Sequence, residues 1–171
     1  GLLLPTVSYH MFGQLAHSAQ QTANALGYNL IIFNSSEDDA LERQYLEMYK
    51  IGLLDGIIVS PSDDSANLPL FREMVKAKFP FVFVDRYIKE LPVSYVATDG
   101  FTGAYQLTRR LIEEGYREIL CVCHGKSLHT SAQFDRIDGY RRALSEHSLL
   151  PRVANISDTP NIKEEEVYAI L

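Results

Sequence analysis

The sequence predicts an α/β fold, a doubly wound parallel sheet. Three observations carry that prediction. Short runs rich in Leu, Ile, Val and Phe recur along the chain with amphipathic stretches between them, and strand–helix alternation of this pitch builds right-handed βαβ crossovers. Several of the runs are apolar on both faces, as strands sandwiched by helices are. Finally, 171 residues with 46% hydrophobic and 22% charged side chains are ordinary globular material, long enough for a sizeable core.

Taken in order, the first strand is expected over residues 2–4. In the helix that follows, over 12–26, Phe12, Leu15, Ala16, Ala19, Ala23 and Leu26 share one face before Gly27 caps it. A second strand is expected over 29–33, followed by a stripe of Leu41, Tyr45, Met48 and Tyr49 ending near Gly52. Residues 56–60 read as the third strand, and 68–78 as a helix that buries Phe71 and Val75 and is stopped by Pro80. Strands over 81–84 and 95–98 precede a helix carrying Phe101, Ala104, Leu107, Leu111 and Ile112 up to Gly115. A strand over 119–123, a helix facing inward through Ile137, Tyr140 and Leu144, and a strand over 153–156 complete the pattern. Residues 167–171 have the character of one more amphipathic helix, so the polypeptide is expected to be truncated or only partly represented. The paired carboxylates Asp38-Asp39 and Asp63-Asp64 are expected to initiate helices. A lobe boundary is placed at 115–117, which gives an N-terminal lobe over 1–116 and the first part of a second over 117–171.

Composition and motifs exclude several functions. With 16 basic against 22 acidic residues and a net charge of −6, and no basic run longer than Arg109-Arg110 or Arg141-Arg142, these residues lack the clustered cations that nucleic-acid binding needs. Apolar runs such as Ile57-Ile58-Val59 fall far short of the roughly 20 residues that span a bilayer. The opening Gly1-Leu2-Leu3-Leu4-Pro5 has no basic region of a signal peptide. Cys121 and Cys123, two apart in a strand, point to the same face, a poor geometry for a disulfide that fits a reducing, cytoplasmic setting. Together with His124 they suggest metal ligands, but no second ligand pair stands at a finger-like distance, and ordinary strand packing is preferred.

Enzyme signatures are missing too. Pro5-Thr6-Val7-Ser8 stands where a dinucleotide fold needs its glycine-rich turn, and there is no phosphate loop, nucleophile elbow or paired-histidine motif. No catalysis and no cofactor are expected.

In open parallel sheets ligands bind beyond the carboxyl ends of the strands. The residues at those positions are polar: Pro5-Thr6-Val7-Ser8-Tyr9-His10, Asn34-Ser35-Ser36, Ser60-Pro61-Ser62, Asp85-Arg86, Asp99-Gly100 and His124-Gly125-Lys126-Ser127. Together they outline a rim of hydroxyls and carboxylates.

Several segments, in this order and spacing, carry a family resemblance. They are Gly1-Leu2-Leu3-Leu4-Pro5 with Phe12; Leu26-Gly27-Tyr28 before a strand ending Asn34-Ser35; Asp55-Gly56-Ile57-Ile58-Val59-Ser60-Pro61; Phe81-Val82-Phe83-Val84-Asp85-Arg86; and Val96-Ala97-Thr98-Asp99. Two more follow, Leu111-Ile112-Glu113-Glu114-Gly115-Tyr116-Arg117-Glu118-Ile119 and Arg136-Ile137-Asp138-Gly139-Tyr140-Arg141-Arg142-Ala143-Leu144. Up to about Leu149 the chain resembles the effector-binding core of LacI/GalR-type transcriptional regulators, which have the type I periplasmic-binding-protein fold. The resemblance implies two α/β lobes with an effector between them, the second lobe incomplete here and the upstream DNA-binding headpiece absent. It implies a homodimer in the cytoplasm that binds operator DNA through that headpiece and responds to a small polar metabolite, a sugar or sugar derivative.

The same resemblance implies the ligand contacts. Arg136, before x-x-Gly-aromatic, would bind ligand oxygens through its rigid five-donor fork; the alternative is a surface arginine at a helix start. Asp85 would accept from ligand hydroxyls, or pair with Arg86 or cap. Ser60 matches a polar contact after the third strand, and Ser131 one before the Arg136 helix. Tyr9, Met11 and Phe12 lie where the family sets apolar groups against the ligand, with core packing the alternative for Phe12. Many relatives have Asn-Pro in place of Tyr9-His10 and Asp-Asn in place of Asp99-Gly100, departures that bear on ligand identity and on the hinge-side position. A solute-binding protein of a transport system is the second reading on the same fold; an enzyme on a flavodoxin-like sheet is the third.

Overall fold

A computed structural model describes residues 1–124 and 129–156. By contacts the chain divides into two units, Gly1–Ala97 and the residues from Thr98 onward. The boundary expected after Tyr116 falls at the far end of a helix that opens the second unit.

The first unit holds β1 (Leu2–Leu4), α1 (His10–Ala25), β2 (Ile32–Asn34), α2 (Asp39–Leu46) with a 3-10 turn at Glu47–Ile51, β3 (Ile57–Val59), α3 (Leu68–Lys76), β4 (Phe81–Val84) and β5 (Tyr95–Val96). The five strands form one parallel sheet in the order β2-β1-β3-β4-β5. The doubly wound parallel sheet read from the sequence is therefore the fold.

Period-two alternation divides the core between the two sheet faces. Leu3, Ile57, Val59 and Phe83 face α2 and α3, packed with Leu46, Leu70, Phe71 and Met74. Leu2 and Leu4 face α1, against Phe12 and Ala16.

The second unit holds α4 (Gly100–Glu113), β6 (Leu120–His124), α5 (Ser131–Glu146) and β7 (Arg152–Ile156). β6 and β7 pair in parallel, Leu120 opposite Arg152. The buried Tyr140 hydroxyl ties α5 to the start of both strands. It accepts the Arg152 N–H at 2.8 Å and lies 2.7 Å from the Ile119 carbonyl and 2.9 Å from that of Arg152.

Some expectations shift in detail. The stripe over 41–49 is an α-helix only to Leu46, and its fully buried positions are Glu42 and Leu46, one residue out of register with the expected face. Asp38 caps α2 as expected, accepting from the N–H groups of Ala40 and Leu41 at 2.8 and 2.9 Å. Asp63 instead closes a turn by accepting from Ser65 and Ala66, and α3 starts later, with Asn67 at its N-cap and Pro69 in its first turn. In α4 the buried residues are Thr108 and Ile112, whereas Phe101 and Leu107 are exposed, because the face turned to α5 is shifted from the apolar stripe. The helix expected over 167–171 lies outside the described residues. No helix among those described is long and apolar enough to cross a membrane.

Candidate functional site

The order β2-β1-β3 places a topological switch point between β1 and β3, since the chain leaves β1 to one side for β2 and to the other for β3. Ligands of open α/β sheets bind at such a crevice, beyond the carboxyl ends of the strands. The residues there are those following Leu4 and Val59.

Tyr9 occupies the N-cap of α1 and is 55% exposed. Its ring lies 6.5 Å from that of Phe12, nearly parallel to it. Phe12 itself is 2% exposed and packs with Leu2, Leu4 and Ala16, which is the core position left open by its spacing. Met11 is exposed. Ser60, just past β3, is 0% exposed; its N–H donates to the Leu3 carbonyl at 2.9 Å, and its Oγ has no hydrogen-bond partner among the described residues. Asn34 Oδ1, at the tip of β2, is buried and unpartnered in the same sense. Buried polar atoms without partners are uncommon in folded proteins and call for a reason.

Asp85, half-buried at the tip of β4, has φ +63°. The Arg86 N–H donates to the Val84 carbonyl at 2.7 Å, so Asp85 is the centre of a γ-turn of the rare, strained hand. Strained non-glycine backbone concentrates at functional sites. Ser36 and Glu37, at the tip of β2, also have positive φ, +53° and +60°.

Beneath these tips lies a polar network that the sequence reading did not single out. Glu42 is 0% exposed, and its carboxylate accepts from the Ser62 N–H at 2.6 Å and from Asn67 Nδ2 at 2.9 Å. Burial raises its pKa above the ordinary carboxyl value, the hydrogen bonds from Asn67 and Ser62 opposing this in part. The Ser62 and Ser35 hydroxyls are 3.0 Å apart. Arg86 is 6% exposed and donates to the carbonyls of Pro61 and Ser62 at 3.3 and 3.2 Å and to Glu37 at 3.1 Å. The available signal is a glutamate four residues before Leu46 on a helix with an apolar stripe; Arg86 is legible in the sequence only as a rim residue and as a partner for Asp85.

In the second unit Thr130 is the N-cap of α5, and Ser131, its first residue, is 1% exposed. Arg136 is exposed on α5, donating to Gln133 Oε1 at 3.3 Å. Its stem passes close to Gly100, where an added Cβ would stand 3.2 Å from Arg136 Cγ. Asp99 caps α4 by accepting the Thr102 N–H at 2.9 Å, which holds its carboxyl below the usual range. Lys126 and Ser127, of the sixth expected strand tip, lie outside the described residues, as does the His124 side chain. Cys121 and Cys123 are free, their sulfurs 3.9 Å apart. No cluster of three or more metal-ligating side chains occurs among the described residues.

Tyr9, Ser60 and Asp85 thus follow β1, β3 and β4 of one sheet, while Ser131 and Arg136 share the first turns of α5 in the other unit. What the first unit offers is hydrogen bonding to a polar guest, with an aromatic ring at the rim. A groove of about 1300 Å³ on the α1 face of the sheet, lined by Leu15, Ala19, Ile58, Val82 and Val84 among others, is mostly apolar and has different chemistry.

Comparison with known proteins bears on the family and the fold. The family model for periplasmic binding proteins and the sugar-binding domain of the LacI family matches residues 1–171. The ribose operon repressor of Halalkalibacterium halodurans is 33% identical over 170 residues, covering 99% of this chain and 48% of its own length. The chain spans about half the length of the curated relatives it matches. Among solved structures, a probable LacI family transcriptional regulator from Corynebacterium glutamicum superposes with a TM-score of 0.82 at 22% identity, over 99% of this chain and 64% of the other. The Caulobacter myo-inositol binding protein bound to myo-inositol does so with 0.79 at 15% identity, over 91% of this chain and 54% of the other. At those identities the likeness is one of fold.

Proposed function

The chain belongs to the family of periplasmic binding proteins and LacI-type sugar-binding domains, and from that premise we propose that it is the effector-sensing part of a transcriptional regulator. A small polar metabolite, a sugar or sugar derivative, is held by strand-tip side chains. Tyr9 covers an apolar face of the guest and Ser60 and Asp85 hydrogen-bond its hydroxyls; the family resemblance adds Ser131 and Arg136 as ligand contacts. Phe12 acts from beneath by backing the Tyr9 ring. The guest undergoes no chemical change.

The single observation that carries this reading is the 33% identity to a ribose operon repressor across nearly the whole chain. The unpartnered Ser60 hydroxyl at the switch point supports it. In the whole protein, a cytoplasmic homodimer, the ligand favours one of two conformational states and so changes operator binding through an upstream headpiece. It does this only to the extent that its affinity for the two states differs.

The test is a thermal-shift screen of monosaccharides, sugar phosphates and nucleosides against the full-length protein, followed by operator binding with and without the compound that shifts it. A stabilising sugar that alters operator affinity is the expected result. A full-length protein that ignores every sugar, or binds one with no effect on DNA, counts against the proposal.

The family, which takes in periplasmic binding proteins as well as LacI-type domains, supports a second reading, a solute-binding protein serving a transporter. A leader peptide ahead of Gly1 in the complete gene supports that reading, and a helix-turn-helix in that position supports the regulator.

A further inference from the structure

We propose that Arg86 is a positioning residue for the effector site, one buried guanidinium that locks the loops following β2, β3 and β4 into a fixed relation. The inference rests on the reading of the strand tips as that site.

Arg86 itself follows β4. One of its terminal nitrogens donates to the carbonyls of Pro61 and Ser62, in the loop after β3. The other donates to the Glu37 carboxylate, in the loop after β2. The Glu37 N–H in turn donates to the Pro5 carbonyl after β1, at 2.9 Å. Three tips, those after β2, β3 and β4, are thereby joined through one side chain, and the Glu37 backbone extends the link to the fourth, after β1.

The loop after β3 is gripped at both ends of one residue. The Ser62 carbonyl accepts from the Arg86 cation, and the Ser62 N–H donates to the buried Glu42 carboxylate. Charged hydrogen bonds are the strong ones, so the Ser60-Pro61-Ser62 segment has little freedom to turn. Ser60, whose unpartnered hydroxyl is a proposed contact, is two residues from that grip. The left-handed backbone at Glu37 belongs to a loop that this ion pair and the Pro5 bond hold in place.

The chemistry explains why arginine stands here. Two carbonyls and a carboxylate in different directions suit a planar fork with five donors, and an ammonium point charge satisfies them poorly. Arg86→Lys keeps the cation for Glu37 but gives up the simultaneous grip on both carbonyls. Glu37→Gln keeps that grip and weakens only the link to the loop after β2.

Hydrogen–deuterium exchange on the intact protein reads these separately. In Arg86→Lys, segments 35–38 and 60–65 are expected to exchange at least tenfold faster, with α1 and β1 unchanged. In Glu37→Gln only 35–38 should accelerate. Calorimetry with D-ribose as probe then asks whether the loops so held are the binding site: Arg86→Lys should weaken ribose at least tenfold while still unfolding cooperatively, its melting temperature lowered by the carbonyl contacts it gives up. Uniform acceleration across the first unit, no acceleration in 60–65, or wild-type ribose affinity in Arg86→Lys overturns the proposal. If the wild-type protein does not bind ribose, it is the sugar reading that loses support, and the exchange pattern still decides whether Arg86 holds the loops.

Discussion

Gly139 of α5 lies directly against the carbonyl of Phe101 in the first turn of α4, so close that a Cβ at position 139 would overlap it. The same Cβ would stand 3.0 Å from the backbone nitrogen of Tyr105. The helices therefore meet backbone to backbone, and the glycine is required by space, its φ being ordinary. Gly139→Ala sets two effects against each other. Alanine gains up to about 1 kcal/mol in helix propensity, while forcing two backbones apart costs about 1–3 kcal/mol and more where neither can yield. The obstacle is main chain, so overpacking wins. Thermal unfolding should show a lower melting temperature; an equal or higher one would mean that α4 and α5 separate freely.

The Cys121 thiol is pushed up to about 11, first by burial and then by the neighbouring Cys123 thiol. An unhindered cysteine titrates near 8.5, and only the thiolate reacts. Cys121 should therefore be alkylated by iodoacetamide at neutral pH on the order of a hundredfold more slowly than a free cysteine peptide, as read by mass spectrometry with site mapping. Alkylation at the peptide rate would place the thiol in a different environment.

How much of this was legible in the sequence differs by level. Strand positions came from apolar runs, and the period is unambiguous where a parallel strand is enclosed by helices, as in Ile57-Ile58-Val59; where a strand is exposed the bounds shift, the second from the expected 29–33 to Ile32–Asn34 and the fifth from 95–98 to Tyr95–Val96. Helix faces were less secure. The stripe Leu41, Tyr45, Met48 and Tyr49 is real but only half-buried, because the position that goes fully inside is Glu42, which hydropathy assigns to solvent. A buried carboxylate is visible only through its partners, Ser62 and Asn67, which are 20 and 25 residues away. Phe12 shows the same limit from the apolar side. Its helical spacing with Leu15 and Ala19 fits core and ligand face equally, and only the packing on Leu2 and Leu4 places it in the core.

Glu42 gives the first unit a pH dependence of defined sign. Burial raises its carboxyl above the ordinary 4.5, so the folded state holds the proton more tightly than the unfolded chain. The stability this contributes is full below about 4.5 and declines as pH rises through the raised value. Glutamine at 42 does not titrate and leaves one of the two donors, Ser62 N–H or Asn67 Nδ2, without its acceptor, a cost of about 1–3 kcal/mol. Glu42→Gln should be destabilising, and its deficit relative to wild type should be largest in acid and shrink with rising pH. Urea unfolding of both proteins between about pH 4 and 8 tests this. A deficit that grows with pH would mean that the carboxylate is better stabilised inside than in water.

Arg136 separates binding from folding. It is exposed on α5, and among the described residues its guanidinium donates to Gln133 in the same helix, at 3.3 Å. Surface substitutions of this kind change stability by no more than about 0.5 kcal/mol, so Arg136→Ala should melt with wild type. If the guanidinium grips ligand oxygens as proposed, its loss removes a charged hydrogen-bonding partner worth about 1.5–3 kcal/mol, a tenfold or greater loss of affinity. Arg136→Lys keeps the charge without the fork and should fall between the two. Calorimetry on the full-length protein, with the sugar identified by thermal shift, provides the measurement. Equal affinities in all three proteins would take Arg136 out of the site and leave it a solvent-facing residue of α5.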